Sequence, residues 1–124
     1  MPYRVTKEQF LELAESAMGR MPKTFRKKLK NVSIIVEDYP TRDDARSVGA
    51  GRHDLLGLFT GTGYKDKGDP LNTRSMPDKV FLYQRNIQRF CSSKEELADE
   101  IGKTLFHEIG HYFGLSEEEL RRYE

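Results

Sequence analysis

Two histidines and a glutamate near the end of the sequence have the residue types and the spacing of a metal-dependent hydrolytic site. His107 and His111 are four residues apart, and Glu108 directly follows the first histidine. Two residues four apart on a helix share one face, so both imidazoles can bind the same metal ion. Zinc binds neutral imidazole and lowers the pKa of a bound water towards about 7, where a neighbouring carboxylate can take the proton. The pattern predicts a zinc site with His107 and His111 as ligands and Glu108 as general base.

A catalytic zinc ion needs a third protein ligand beside the two histidines. Only residues 112–124 follow the second histidine, so we expect no ligand from a helix far downstream. In the pattern H-E-x-x-H-x-x-G-x-x-H the chain turns at the glycine and supplies the third ligand three residues later. Gly114 stands at the glycine position here, and Glu117 stands at the ligand position. We therefore predict Glu117 as the third ligand, because a carboxylate oxygen binds zinc well, with Glu118 and His53 as alternatives.

The element that must hold this site is a helix with sequence signals at both ends. Ser93 and Glu96 form a capping box, in which each side chain satisfies a free backbone N–H. Gly114 predicts the end of the helix, because glycine readily adopts the left-handed conformation of a C-cap. Between these ends, apolar residues recur at helical spacing: Leu97, Ile101, Leu105, Ile109 and then Tyr112 or Phe113.

Three further helices and one additional turn of helix are predicted before and after this one. A capping box at Thr6 and Gln9 opens a helix that ends near Gly19, and Pro22 begins a second helix that runs to about Lys30. A turn of helix is expected at 86–91. The pattern at residues 115–120 predicts a short terminal helix that reaches about residue 123.

Three strands are predicted from alternation and from β-branched and aromatic residues, at 32–37, Leu55–Thr60 and Lys79–Tyr83. Gly57 lies inside the second of them, which indicates a bulge or the close approach of another backbone. Residues 38–54 and 61–78 are polar or rich in glycine and proline, so both are interpreted as loops.

Length and charge limit the classes of protein that remain. At 124 residues the chain is long enough for one modest core, which predicts a single domain over residues 1–124. A net charge of +1 makes nucleic acid an unexpected partner, and the basic stretch from Arg20 to Lys30 is interpreted as a solvated helix face. The sequence shows no membrane span and no secretory signal. Cys91 is the single cysteine, so the cytoplasm is the expected location.

The run LFHEIGHYFGLSEEEL, residues 105–120, resembles the signature of the minimal zincins, a family of small bacterial metallopeptidases. The segments LLGLFTG and KVFLYQRNI, at 55–61 and 79–87, extend this resemblance over nearly the whole chain. It implies an α+β fold of reduced zincin type, in which a small mixed sheet packs against the N-terminal helix and the helix with the HExxH motif. It also implies that Leu55–Thr60 is an edge strand beside a cleft, where an extended peptide could pair as a further strand.

Two features depart from the related metzincin pattern. Glu117 stands where metzincins have a histidine, and no methionine follows Met76 to form a methionine turn. Both departures concern metal binding and proteolysis rather than the fold.

Together these observations predict a zinc-dependent peptidase that acts on peptide or protein substrates. One alternative is a metal-binding or partner-binding module with little or no proteolytic activity, and another is a metal-dependent hydrolase of different substrates. A tyrosine or arginine is also expected to stabilise the tetrahedral oxyanion. The sequence does not select among four candidates for that role: Tyr64, Tyr83, Arg85 and Tyr112.

Overall fold

The computed structural model describes residues 3–27, 29, 32–61 and 78–121. Residues 62–77, within the predicted second loop, lie outside the described residues. No helix among the described residues has the length and apolar character needed to cross a bilayer. The elements follow in the order α1 (Lys7–Gly19), α2 (Lys23–Arg26), β1 (Val32–Glu37), α3 (Arg42–Ser47), β2 (Gly57–Thr60), β3 (Asp78–Tyr83), α4 (Gln84–Gln88), α5 (Lys94–Tyr112) and α6 (Glu117–Arg121).

The three strands form one mixed sheet in the order β1-β3-β2. β1 and β3 are parallel, with Glu37 opposite Tyr83. β2 and β3 are antiparallel, with Gly57 opposite Leu82. Among the described residues β2 therefore pairs on one side only, which makes it an edge strand.

The core lies between this sheet and the two long helices, α1 and α5. Val80 and Leu82 of β3 are fully buried against them. Burying an aliphatic side chain of this size contributes about 1.5–3 kcal/mol, so this layer holds α5 on the sheet. The helices supply the apolar residues predicted from their spacing: Phe10, Ala14 and Ala17 from α1, and Leu97, Ile101, Leu105 and Ile109 from α5. The fold is thus the α+β arrangement that the resemblance implies.

Both long helices begin at the predicted caps. The Thr6 hydroxyl accepts from the Gln9 N–H at 3.1 Å, and the Gln9 side chain accepts from the Thr6 N–H at 2.9 Å. At α5 the Ser93 hydroxyl accepts from the Glu96 N–H at 3.1 Å, while the Glu96 carboxylate accepts from the N–H of Ser92 at 3.3 Å. Each serine or threonine cap is worth about 1 kcal/mol of helix stability.

The loop prediction for residues 38–54 was wrong for one segment, because this stretch contains α3. The Thr41 hydroxyl caps α3 by accepting from the N–H of Asp44 at 3.0 Å. The spacing of Thr41 and Asp44 is a helix-start signal. The six-residue helix buries only Ala45, however, so no apolar periodicity marks it in the sequence.

Other predicted boundaries also differ from the structure, since the helical turn expected at 86–91 is α4, Gln84–Gln88. The second helix ends at Arg26 rather than near Lys30, and the chain then turns to bury Leu29, which is 5% exposed. β2 begins at Gly57 rather than Leu55. The carbonyl of Leu55 instead accepts a hydrogen bond of 2.8 Å from the side chain of Asn86, which keeps it out of the strand pairing.

Candidate metal centre

Helix α5 carries His107 and His111 on the side away from the buried Leu105 and Ile109. His107 is half-buried and His111 is exposed. Their ring centroids lie 4.8 Å apart, with an angle of 50° between the ring planes. This separation allows both imidazoles to reach a single ion. Imidazole nitrogen is a good zinc ligand, so the donor chemistry of the pair fits that metal.

The turn that ends α5 has the predicted left-handed glycine. Gly114 has a φ of 70°. Its N–H donates to the carbonyl of His111 at 3.0 Å, and the N–H of Leu115 donates to the carbonyl of Gly110 at 2.8 Å. These two bonds form a Schellman motif, which satisfies carbonyls that the end of a helix would otherwise leave without partners.

The predicted third ligand, Glu117, is the first residue of α6. A complete capping box fixes the start of this helix. The Ser116 hydroxyl accepts from the Glu119 N–H at 3.2 Å, and the Glu119 carboxylate accepts from the Ser116 N–H at 3.3 Å. The side chain of Glu117 and residues 122–124 lie outside the described part of the structure. Its role as a ligand therefore stays a prediction.

The two alternative ligands do not join the histidine pair. His53 is exposed and packs edge-on against Tyr39, with ring centroids 4.9 Å apart. Glu118 is exposed on α6. Among the side chains that the structure describes, no three histidine, cysteine, aspartate or glutamate residues are grouped to hold a metal ion. Both alternatives belong to that described set.

Glu108 reaches towards the edge strand β2. Its Oε1 accepts a hydrogen bond of 3.1 Å from the backbone N–H of Phe59. Tyr83 donates from its N–H to the opposite carbonyl of Leu56 at 3.0 Å, and Phe59 lies opposite Val80. Because hydrogen-bonded and non-hydrogen-bonded pairs alternate in an antiparallel ladder, the N–H of Phe59 faces away from β3. The carboxylate of Glu108 thus lies at the free edge of the sheet.

A cleft of about 310 Å³ lies between α5 and the segment that enters β2. Three larger hollows have volumes of about 400, 520 and 610 Å³, and none of them is lined by His107, Glu108 or His111. The cleft of about 310 Å³ is therefore the one that borders the predicted edge strand. It is lined by Leu55, Leu56, Gly57, Glu100, Lys103, Thr104, His107 and Glu108.

Gly57 permits the close packing of α5 against β2. A Cβ atom at this position would lie 2.9 Å from Cγ2 of Thr104, 3.1 Å from the carbonyl oxygen of Phe81 and 3.2 Å from Cγ of Glu108. The sequence indicated a bulge or an approaching backbone at this glycine. On the α5 side the close neighbours are instead side chains, one of which belongs to the predicted general base.

Asn86 supports the cleft in a way that the sequence analysis missed. This residue is 1% exposed, and its Nδ2 donates to the carbonyls of Arg52 at 2.9 Å and Leu55 at 2.8 Å. These bonds hold the segment that becomes one wall of the cleft. No local signal distinguishes Asn86 from an ordinary polar residue on a helix.

The candidates for stabilising an oxyanion differ in their surroundings. Tyr83 is 1% exposed, and burial together with nearby carboxylates raises the pKa of its hydroxyl well above the usual range. Tyr112 is 2% exposed within the core. Arg85 pairs with Asp38, with 3.5 Å between Nε and Oδ2. Tyr64 lies outside the described residues. The described geometry therefore assigns the role to none of them.

Comparison with known proteins agrees with the fold. A conserved hypothetical protein from Thermus thermophilus has a similar structure, with a TM-score of 0.56 and 21% identity, over 86% of this chain and 92% of that chain. At this identity the likeness concerns the fold alone. No curated protein matches the sequence. The family model described as zincin-like metallopeptidase matches residues 29–124, a range that includes the whole of β1–β3 and α5. This chain therefore belongs to the zincin-like metallopeptidase family.

Proposed function

We propose that this protein is a zinc-dependent peptidase that hydrolyses peptide bonds in peptide or protein substrates. The observation that carries the proposal is the position of Glu108. This residue follows His107 on α5, and its carboxylate meets the backbone N–H of Phe59 at 3.1 Å on the free edge of the sheet. This position supports the proposal, because the proposed general base, one of the proposed ligands, His107, and the start of β2 all line one cleft.

The proposed zinc ligands are His107, His111 and Glu117. Two imidazoles and a carboxylate form a three-ligand set of the kind found in catalytic zinc sites, which keep one position open. When bound, zinc supplies Lewis-acid chemistry that activates water near neutral pH. The Schellman turn at Gly114 supports the assignment of Glu117, because it reverses the chain directly after the histidine helix.

Glu108 serves as the general base in this proposal. Its carboxylate takes a proton from the attacking water and later gives that proton to the leaving amine. The residue is only half-buried and lines the cleft, so a substrate can approach it.

In this proposal the substrate backbone pairs with the free edge of β2. The alternation that turns the N–H of Phe59 outwards also turns the carbonyl of Phe59 and both backbone groups of Gly57 outwards. An extended peptide can add to such an edge through main-chain hydrogen bonds, which depend little on its sequence. One of its side chains would then enter the cleft of about 310 Å³.

Metal analysis tests the first part of the proposal. Protein purified without chelator should contain close to one zinc per chain, and the double variant His107→Ala with His111→Ala should lose it. His53→Ala is the matched control, since it removes the remaining histidine of the chain and should keep the metal. A double variant that retains the wild-type zinc content would show that the site assignment is wrong.

Activity on an unstructured labelled protein tests the second part. Glu108→Gln should keep zinc, because the residue is not a proposed ligand, and should lower the rate by roughly 10²-fold or more. Glu95→Gln makes the same change at an exposed position in the first turn of α5 and should leave the rate unchanged. Equal activity in the wild type and Glu108→Gln would assign the hydrolysis to a contaminant or another base.

Zinc binding without hydrolysis that depends on Glu108 would instead support the metal-binding or partner-binding module. Three further statements stay predictions from the sequence: a single domain over residues 1–124, a cytoplasmic location and the lack of a nucleic-acid partner.

A further inference from the structure

The edge strand has a second role besides docking a peptide. We propose that the backbone N–H of Phe59 is a positioning group that orients the carboxylate of Glu108, and that Gly57 keeps the space for this contact. The inference rests on the proposed peptidase function, because the orientation of Glu108 matters to the reaction only if this carboxylate is the general base.

The contact joins two elements that are distant in the sequence. Phe59 and Glu108 are 49 residues apart, and the N–H of Phe59 is directed away from β3 into the space beside α5. Within the described part of the structure its hydrogen-bond acceptor is Oε1 of Glu108, at 3.1 Å. A glutamate side chain has several rotatable bonds, so an acceptor bond from rigid backbone to one oxygen selects among its rotamers. The second oxygen is then presented in a defined direction.

Gly57 provides an independent observation for the same arrangement. With no Cβ, it lets the Cγ of Glu108 and the Cγ2 of Thr104 pack directly over β2. A methyl group would stand 3.2 Å and 2.9 Å from these two atoms, closer than side chains ordinarily pack. The glycine therefore sets how near Glu108 lies to Phe59.

One consequence concerns how a substrate pairs with β2. The N–H of Phe59 is already used by Glu108 and does not bind a substrate carbonyl. An added peptide then pairs through the backbone groups of Gly57 and the carbonyl of Phe59. The same strand that receives the substrate thus holds the base in place.

Amide hydrogen exchange measured by NMR tests the contact without any assay of activity. The N–H of Phe59 should exchange at least about tenfold faster in Glu108→Ala than in the wild type, because it loses a hydrogen bond to a charged group. Glu108→Gln retains an acceptor oxygen and should keep most of the protection. The N–H of Leu58, which faces β3, is the internal control and should change little.

The kinetics of two variants test whether the N–H of Phe59 positions the carboxylate of Glu108. Proline at an outward-facing edge position removes the N–H without breaking the pairing to β3. Phe59→Pro should have a kcat roughly 10–10²-fold below that of Phe59→Val, with a similar KM and zinc content. The valine variant also loses the aromatic ring but keeps the N–H. Circular dichroism spectra should show that both variants are folded.

Gly57→Ala provides a second route if the proline variant does not fold. It should lower kcat by displacing Glu108, whereas Gly102→Ala on α5 should not, since among the described residues a Cβ there meets only Cβ of Ala17, at an ordinary 3.9 Å. Unchanged exchange of the Phe59 N–H in Glu108→Ala, or equal kcat in Gly57→Ala and the wild type, would overturn the inference alone. A wild-type protein with no hydrolysis that depends on Glu108 would overturn the proposed function and the inference with it.

Discussion

Replacing Gly114 with alanine should destabilise the protein at the turn that connects the HExxH helix to the proposed third ligand. Gly114 has a φ of 70°, in the left-handed region that side chains with a Cβ disfavour. Its N–H and that of Leu115 make the two Schellman bonds, of 3.0 and 2.8 Å, that close α5. An alanine that leaves this conformation breaks both bonds, and an alanine that keeps it is strained.

The size of the effect follows from two opposing terms. The left-handed conformation costs a residue with a Cβ about 1–2 kcal/mol relative to glycine. Alanine also restricts the unfolded chain, which recovers roughly 0.4–1 kcal/mol. The expected net loss in the free energy of unfolding is about 1 kcal/mol, or about 4 °C in Tm for a domain of this size.

Urea denaturation followed by circular dichroism measures this loss, with Gly19→Ala as the matched control. Gly19 is the last residue of α1, and a Cβ there meets no atom of the described residues within 4 Å. Alanine is a better helix former than glycine, so the control should be more stable than the wild type by up to about 1 kcal/mol. The two identical substitutions should therefore change stability in opposite directions. A Gly114→Ala variant as stable as the wild type would refute the account of this turn.

The other predictions concern zinc binding, the packing of the core and the reactivity of the cysteine thiol. Glu117→Ala should weaken zinc binding far more than Glu118→Ala in a competition titration with a chelator; the reverse order would place the ligand one residue later. Ile101→Ala should lower the free energy of unfolding by about 2–5 kcal/mol, because the side chain is 0% exposed, whereas Val48→Ala, at 49% exposed, should change it little. Cys91 is 2% exposed and burial raises the pKa of its thiol, so a thiol reagent should label it slowly until urea unfolds the protein. The raised pKa favours the protonated thiol in the folded state. The contribution of Cys91 to the free energy of unfolding should therefore be present below the ordinary thiol pKa and lost as the pH rises through the pKa of the folded state. If Cys91→Ala has the same dependence of stability on alkaline pH as the wild type, this expectation is wrong.

Helix α5 and its histidine face were predictable because their signals are local. The cap at Ser93 involves the N–H of a residue three positions away, and the turn at Gly114 involves bonds across a few positions. The helical spacing of Leu105 and Ile109 indicates the buried side directly. Once that side is known, the opposite orientation of His107 and His111 follows from the geometry of the helix.

The position of β2 at the sheet edge followed from the family resemblance rather than from its own pattern. The residue at which β2 begins was not predicted correctly, because the carbonyl of Leu55 accepts a hydrogen bond from Asn86, which is 31 residues away. Helix α3 was missed for a different reason. It is too short to show apolar periodicity, and it buries only Ala45.

The sequence by itself determined the histidine face of α5, since helical spacing alone brings His107 and His111 together. The tertiary structure decided what Glu108 meets. Its bond to Phe59 and its packing over Gly57 exist only because α5 lies on the sheet at a particular height and angle. Buried residues such as Leu105 and Val80 fix that placement. Contacts across tens of residues depend on how whole faces pack together, and no local spacing of residues encodes them.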